Sequence, residues 1–509
     1  MKRFFSKLGR FFWSWGFLKF ILWTATLIIF FYVEEDWRGA RAWATTKAEW
    51  EAKGETFDYN KFIPPPIPDD QNLGAIPLFK LEPYSQTDKS LHPATLEKVL
   101  RGSLSDNLPR VGNWQKGESP DMEQIRQTVS TAYAAAFKGV EPPKSVLAQY
   151  EALYPFLTDL RAAAAIRPFC RFNLDYASYA NFPTSRPLGL VTAQLKLSRI
   201  LTLHAILALD DHQPDLALAD LKTIHKLISG VERDPSIIAG LVALGMNSIS
   251  ENAICDGLAL HVWNDAQLAE IHDSLDPINF LADHQLEMRC EVPTIIGTID
   301  YCKNKRAVLA GILGTNEGPN QSIRLYTFWP GGWLDQNKSR IVNAHYNEIK
   351  SVDAETYRVF PEIANDRERQ LRQTLVRLDA YAPWNIIFTV AVPPLASMVQ
   401  QFAQGQIRID ETRLVCGLER YHLAHGVYPD SLDALFPAYI SRLPHDVING
   451  ESYHYRLRPD GAFLLYSIGW NQKDDGGKVV YNKDGSNKID PKEGDWVWPM
   501  PKVGAGKSL

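Results

Sequence analysis

Residues 17–33 are apolar except for Lys19, Thr24 and Thr26. Such a run is too greasy to lie in water unless something covers it along its whole length. Its seventeen residues, at ~1.5 Å each, make a helix of about 25 Å, close to the thickness of a bilayer's hydrocarbon core. The flanks are asymmetric. Lys2, Arg3, Lys7, Arg10 and Lys19 precede or enter the run with no acid among them, and Glu34, Glu35 and Asp36 follow at once. Basic residues stay on the cytoplasmic side. The pattern therefore predicts a single-pass helix in the inner (cytoplasmic) membrane, with the N-terminus in the cytoplasm and the bulk of the chain extracytoplasmic. Residues 11–33 would contact the lipid bilayer. Trp13, Trp15, Trp23 and Tyr32 would sit at its interfaces, and Lys19 would snorkel back to the basic side. Two other readings remain open here: a signal peptide cleaved near Ala40-Arg41-Ala42, and a buried core helix.

The formal charge follows the same division. The net value is −5, with 54 Lys+Arg against 59 Asp+Glu. All five basic residues before Val33 are unopposed, so the anchor carries +5 and the remainder −10 (49 against 59). This balance excludes the strongly basic footprint of a nucleic-acid binder. With 45% hydrophobic and 22% charged residues over 509 positions, the chain is long and apolar enough for a sizeable core.

Four segments follow from the pattern. Residues 1–36 form the cytoplasmic tail and transmembrane anchor. Residues 37–90 form a juxtamembrane helix and a spacer made stiff by Pro64, Pro65, Pro66 and Pro68, because proline fixes φ and bars helix at the residue before it. Residues 91–383 carry helical periodicity throughout. Examples are Asp121–Lys138, Ser145–Ile166, Leu188–Leu209, Asp215–Ile228 closed by Ser229-Gly230, Asp234–Leu258, Asn264–Leu275 and Pro277–Leu313. No unit recurs at a fixed spacing, so the expectation is an irregular α-helical array and not a regular solenoid. A Gly- and aromatic-rich loop is expected over 314–335, with helix resuming near Lys338. The apolar stretch 385–399 reads as a buried helix pair broken at Pro393-Pro394, with a second membrane span as the alternative. Residues 384–509 form a small α+β module. The fold class is mainly α.

That last module carries an ordered set of signals. A helix ends in Glu419-x-Tyr421-x-x-x-x-Gly426-x-Tyr428-Pro429. Ser431-Leu432-x-x-Leu435, Leu443-Pro444-x-Asp446, Tyr453-x-Tyr455 and Leu465-Tyr466-Ser467-x-Gly469 follow. Pro459-Asp460-Gly461 turns a β-hairpin between residues 453–458 and 463–467. Over about residues 410–498 this order resembles the soluble domain of the major pseudopilin of bacterial type II secretion systems. The family's processed start, with its glutamate, has no counterpart at Gly16-Phe17-Leu18-Lys19. The resemblance thus implies a pseudopilin-like head on a helical domain and not a polymerising subunit. It also implies Ca²⁺ in the loop after the last hairpin, where Asn471, Asp474, Asp475, Asp490 and Asp495 could supply the hard oxygens calcium takes. The competing reading is a solvated loop held by hydrogen bonds, since Lys473, Lys478, Lys483, Lys488 and Lys492 nearly cancel its acids.

No motif points to a reaction. Gly504-Ala505-Gly506-Lys507-Ser508 has Pro501 where a P-loop needs its first glycine, which excludes a nucleotide site. Asn482-x-Asp484-x-Ser486 imitates an EF-hand but lacks the turn glycine. Asp210-Asp211-His212 and His284-x-x-Glu287 read as hydrogen-bonded polar helix faces, and Trp329-Pro330-Gly331-Gly332-Trp333 as a loop plugging a groove. The five cysteines include no Cys-x-x-Cys pair. They read as small buried hydrophobes, with a Cys290–Cys302 bridge as the alternative. The functional expectation is a non-enzymatic envelope protein that interacts with other envelope proteins of a secretion or pilus-like apparatus. The alternative is an exported hydrolase or ligand-binding protein with its site in the helical domain.

Overall fold

The computed structural model describes residues 15–83, 91–101, 104, 108–176, 188–306, 308–309, 328–376, 382–392, 395–482 and 489–499. Residues 11–14 of the expected lipid contact, most of the EF-hand-like stretch and the 504–508 motif lie outside them. Helix takes 63% and strand 8%, so the chain is mainly α. In chain order the helices are α1 Trp15–Ala52, α2 Ala94–Leu100, α3 Met122–Ala136, α4 Val146–Leu153, α5 Phe156–Ile166, α6 Leu188–Asp210 and α7 Pro214–Glu232. They continue as α8 Ile237–Ala259, α9 Asp265–Leu275, α10 Phe280–Asn304, α11 Gly331–Ile349, α12 Pro361–Val376, α13 Ile386–Ala391 and α14 Leu395–His425.

The apolar run and the juxtamembrane helix are one element, α1. Its two halves have opposite surroundings. Up to Val33 it is apolar and largely exposed, with Trp15, Phe20, Ile29 and Val33 all more than 60% exposed. Beyond Val33 it buries Glu35, Gly39, Thr46 and Trp50, one stripe at helical spacing, against α11. Gly39 and Gly332 meet where the helices cross. A Cβ on Gly39 would lie 2.2 Å from the Gly332 carbonyl oxygen. The Asp36 carboxylate accepts the Gly332 N–H at 2.7 Å, and so caps the start of α11 from another helix. Glu35 accepts from Trp333 Nε1 at 3.0 Å and Gln336 Nε2 at 3.2 Å. A second hydrophobic cluster closes the junction around Trp50, Leu334, Ile341 and Tyr346. Burying one indole of about 200 Å² is worth ~5 kcal/mol before entropy is counted.

The main core runs without a break from Leu73 to Trp498. Helices α6, α7 and α8 form its centre, and α14 crosses from that body into the head, packing on α9, α10 and α12. Four two-residue strands, β1 Glu82–Pro83, β2 Leu91–His92, β3 Val352–Asp353 and β4 Arg358–Val359, pair as β1-β2 and β3-β4. In the head, β5 His454–Leu457, β6 Phe463–Ser467 and β9 Trp496–Val497 make an antiparallel sheet in the order β5-β6-β9. Tyr455 pairs with Leu465, and Tyr466 with Val497. Strands β7 Val479–Tyr481 and β8 Ile489–Gly494 form a separate hairpin. The expected hairpin over 453–467 is therefore present.

Several local expectations are corrected. The single segment Ser145–Ile166 is two helices, because Pro155 starts α5 after the Tyr154 N–H has closed α4. Helix α7 runs through Ser229-Gly230 to Glu232. Gly230 is needed there for space, since a Cβ would lie 2.3 Å from Cys170 Sγ. Helix α11 begins at Gly331 and not near Lys338, because α1 supplies its cap. All five cysteines, Cys290 and Cys302 among them, are buried and none is in a disulfide. Of the region 385–399 the structure describes a short helix and the start of α14, and among the described residues it is not one of the helices long and apolar enough to span. Those are α1 and two body helices, Gly189–Asp210 and Ile237–Ala259, whose apolar windows are 78% and 56% buried inside the protein.

Candidate functional site

Three of the five proposed calcium ligands share one loop of the head, and a fourth, Asp495, bonds to the backbone of that loop. Asn471, Asp474 and Asp475 lie on the turn after β6, and Asp495 faces them from the start of β9. Asp495 accepts the backbone N–H groups of Asp475, Gly477 and Lys478 at 3.2, 2.7 and 3.2 Å. Burial raises its pKa while those three bonds pull the other way. Asp474 accepts the Gly476 N–H and the Tyr466 hydroxyl, each at 2.9 Å, and these bonds hold its pKa down. Asn471 donates to Asp475 at 2.8 Å. Asp490 stands apart on β8, accepting the Lys492 N–H at 2.9 Å. The loop is thus closed by its own carboxylates. Among the described residues, no three His, Cys, Asp or Glu side chains are placed to hold a metal ion.

A cleft of about 490 Å³ opens between body and head. Sequence reasoning missed it, although Glu419, Gly426 and Tyr428 belong to the motif quoted above. Glu419 and His422 are one turn apart on α14 and share a face. Gly426, at φ 76°, then reverses the chain. The reversal lays the Tyr428 ring on His422, with centroids 4.6 Å apart. It also brings the Tyr428 hydroxyl to the Glu419 carboxylate, which it donates to at 2.5 Å. His261 enters from the far wall, just past α8, in the left-handed region at φ 52°, a conformation histidine tolerates better than most residues. Leu258 and Val415 form the floor, with Trp498 and Ala462 from the head. Burial raises the Glu419 pKa, opposed by the Tyr428 bond and the two histidines.

The two acid–histidine patterns behave differently. Asp210 accepts a two-point contact from Arg126, and Asp211 accepts from Gln213 at 2.9 Å, so that segment is the hydrogen-bonded face expected. His284-x-x-Glu287 is not. Helix α10 is enclosed, and His284 and Glu287 are 1% and 0% exposed. Neither imidazole nitrogen and neither carboxylate oxygen has a partner among the described residues. Burial pushes the Glu287 carboxyl well up and holds His284 down to about 3, so the imidazole is neutral near pH 7. The aromatic loop is a collar and not a groove plug. Trp333 stacks edge-on with Phe31, Trp329 and Trp384 where α1 leaves the body, and the Tyr32 hydroxyl donates to the Phe328 carbonyl.

The chain matches no protein-family model, no curated protein and no solved structure.

Proposed function

We propose that this is a single-pass, membrane-anchored extracytoplasmic protein of the bacterial envelope. In this reading its helical body and pseudopilin-like head serve interaction with envelope proteins of a secretion or pilus-like apparatus, and not catalysis. The observation that carries it is α1, one helix with a largely exposed apolar half and a second half locked into the body. A long apolar surface of that kind needs lipid. The collar of Phe31, Tyr32, Trp329, Trp333 and Trp384 supports the same reading, because aromatic side chains gather where a span meets water. The full chain is expected to stay with membranes through alkaline carbonate extraction, and a chain lacking residues 1–33 to be soluble. External protease should cut the body in spheroplasts. Release of the full chain by carbonate, or protection of its body from that protease, defeats the proposal.

We also infer Ca²⁺ at the head loop, on the oxygens of Asn471, Asp474, Asp475 and Asp495 with Asp490 from the neighbouring hairpin. Support comes from the resemblance and from the shared loop of Asn471, Asp474 and Asp475, to whose backbone Asp495 bonds. Calcium should raise Tm, and EDTA should reverse the rise. The increment is the readout and not the baseline, because Asp495→Ala also removes three backbone partners. An increment as large in Asp474→Ala and Asp495→Ala as in the parent would place the ion elsewhere.

A further inference from the structure

Glu419 stands out among the residues lining the body–head cleft. The cleft's other acid, Asp460, is paired with Arg458 at 3.2 Å. Glu419 is 8% exposed, and among the described residues the Tyr428 hydroxyl is the one group bonded to it and no lysine or arginine pairs with it. Around it are a largely apolar floor and two aromatic walls, Tyr428 and Trp498. His261 and His422 face it as well, and the three do not converge on a point that could hold a metal ion. Arg458, the cleft's one permanent cation, is engaged by Asp460, so an anion finds no free counter-charge there. A cation finds a carboxylate short of one, and an aliphatic stem finds surface to cover. The volume of about 490 Å³ lies within the usual range for a ligand site.

We propose that this cleft binds a primary ammonium on an aliphatic stem, with the ammonium on Glu419 and the stem against Tyr428 and Trp498. The same chemistry is offered by a lysine side chain of a partner and by a free alkylamine.

The test is titration calorimetry on the full chain in detergent. The probes are Nα-acetyl-lysine methylamide, its Nε-acetylated form, and pentylamine. Saturable binding of the first or the third is expected, with the neutral Nε-acetylated compound weaker by about tenfold or more. Tighter binding of the lysine derivative assigns the site to a protein partner, and tighter binding of pentylamine to a free amine. Glu419→Gln should weaken binding by a similar factor. Val427→Trp tests the site without touching the core, since Val427 lines the cleft and is 62% exposed. It should also lose binding while keeping the parent Tm. No saturable binding up to about 10 mM overturns the proposal. So does undiminished binding by Glu419→Gln or Val427→Trp, or equal binding of the acetylated probe.

Discussion

Gly39→Leu separates α1 from α11. At the crossing of α1 and α11 the contact is backbone on backbone. A Cβ at Gly39 would stand 2.2 Å from the Gly332 oxygen and 2.3 Å from its Cα. Backbone cannot swing aside as a long side chain can, so the helices must part. Parting exposes Trp50, takes Asp36 off the Gly332 N–H and strips Glu35 of Trp333 and Gln336. Overpacking alone costs about 3 kcal/mol, and the lost cap adds about 1 kcal/mol. The expected result is a lower Tm in detergent and new proteolytic cleavage near Lys53-Gly54, where α1 ends. Ala40→Leu, one residue along on the exposed side, is the control and should behave as the parent. If Gly39→Leu also behaves as the parent, α1 is not locked to α11 in this way.

Stability should fall on the alkaline side of about pH 6.5, because the core holds two sets of titrating groups with opposite signs. Burial pushes Glu232, Glu287 and Glu411 well above the usual carboxylate range, and Glu348 and Asp410 up to about 7. A carboxyl raised in this way contributes fully below its unfolded value near 4 and loses that contribution as pH rises through the folded value. Burial also holds His225 and His284 down to about 3 and His345 to about 4. A histidine so depressed contributes fully above about pH 6.5 and loses its contribution as pH falls. Between about pH 4 and about pH 6.5 the two sets oppose. Above that the histidines are finished, and each carboxyl still protonated costs about 1.4 kcal/mol per pH unit. Five such carboxyls outnumber three such histidines, so Tm should already fall as pH rises above about 5 and fall more steeply above about 6.5. Glu287 and Glu411 are 0% exposed, with neither oxygen bonded among the described residues. Glu287→Gln and Glu411→Gln should match the parent near about pH 4, where the carboxyl is protonated folded or unfolded, and melt increasingly higher than it as pH rises toward and past about 6.5. A flat or rising alkaline limb, or variants that track the parent throughout, would refute the assignment.

Local chemistry made much of this fold legible. Leu197, Ile200, Leu201, Leu203 and Ile206 mark the buried face of α6 by spacing alone, and all are buried. Asn264 and Gln267 form the capping box that starts α9. Pro459-Asp460-Gly461 turns the β5–β6 hairpin. The apolar run from Phe17 to Val33 declared its own need for cover, since hydropathy is a property of a stretch and needs no neighbour to define it.

What required the tertiary structure has one common cause: a helix face is buried or exposed according to what arrives from elsewhere in the chain. His284 and Glu287 look like a solvent face and lie in the core, because α14 and α8 enclose α10. Gly331 and Gly332 look like a loop and open a helix, because Asp36 caps them across 296 residues. Glu419 and Tyr428 are written close together, but their meeting depends on the turn at Gly426, and their cleft on His261 from another helix. Periodicity and local turns determine the elements and the apolar run of α1. Pairings over long separations determine which polar groups lose water, and the unusual chemistry of this protein lies among those groups.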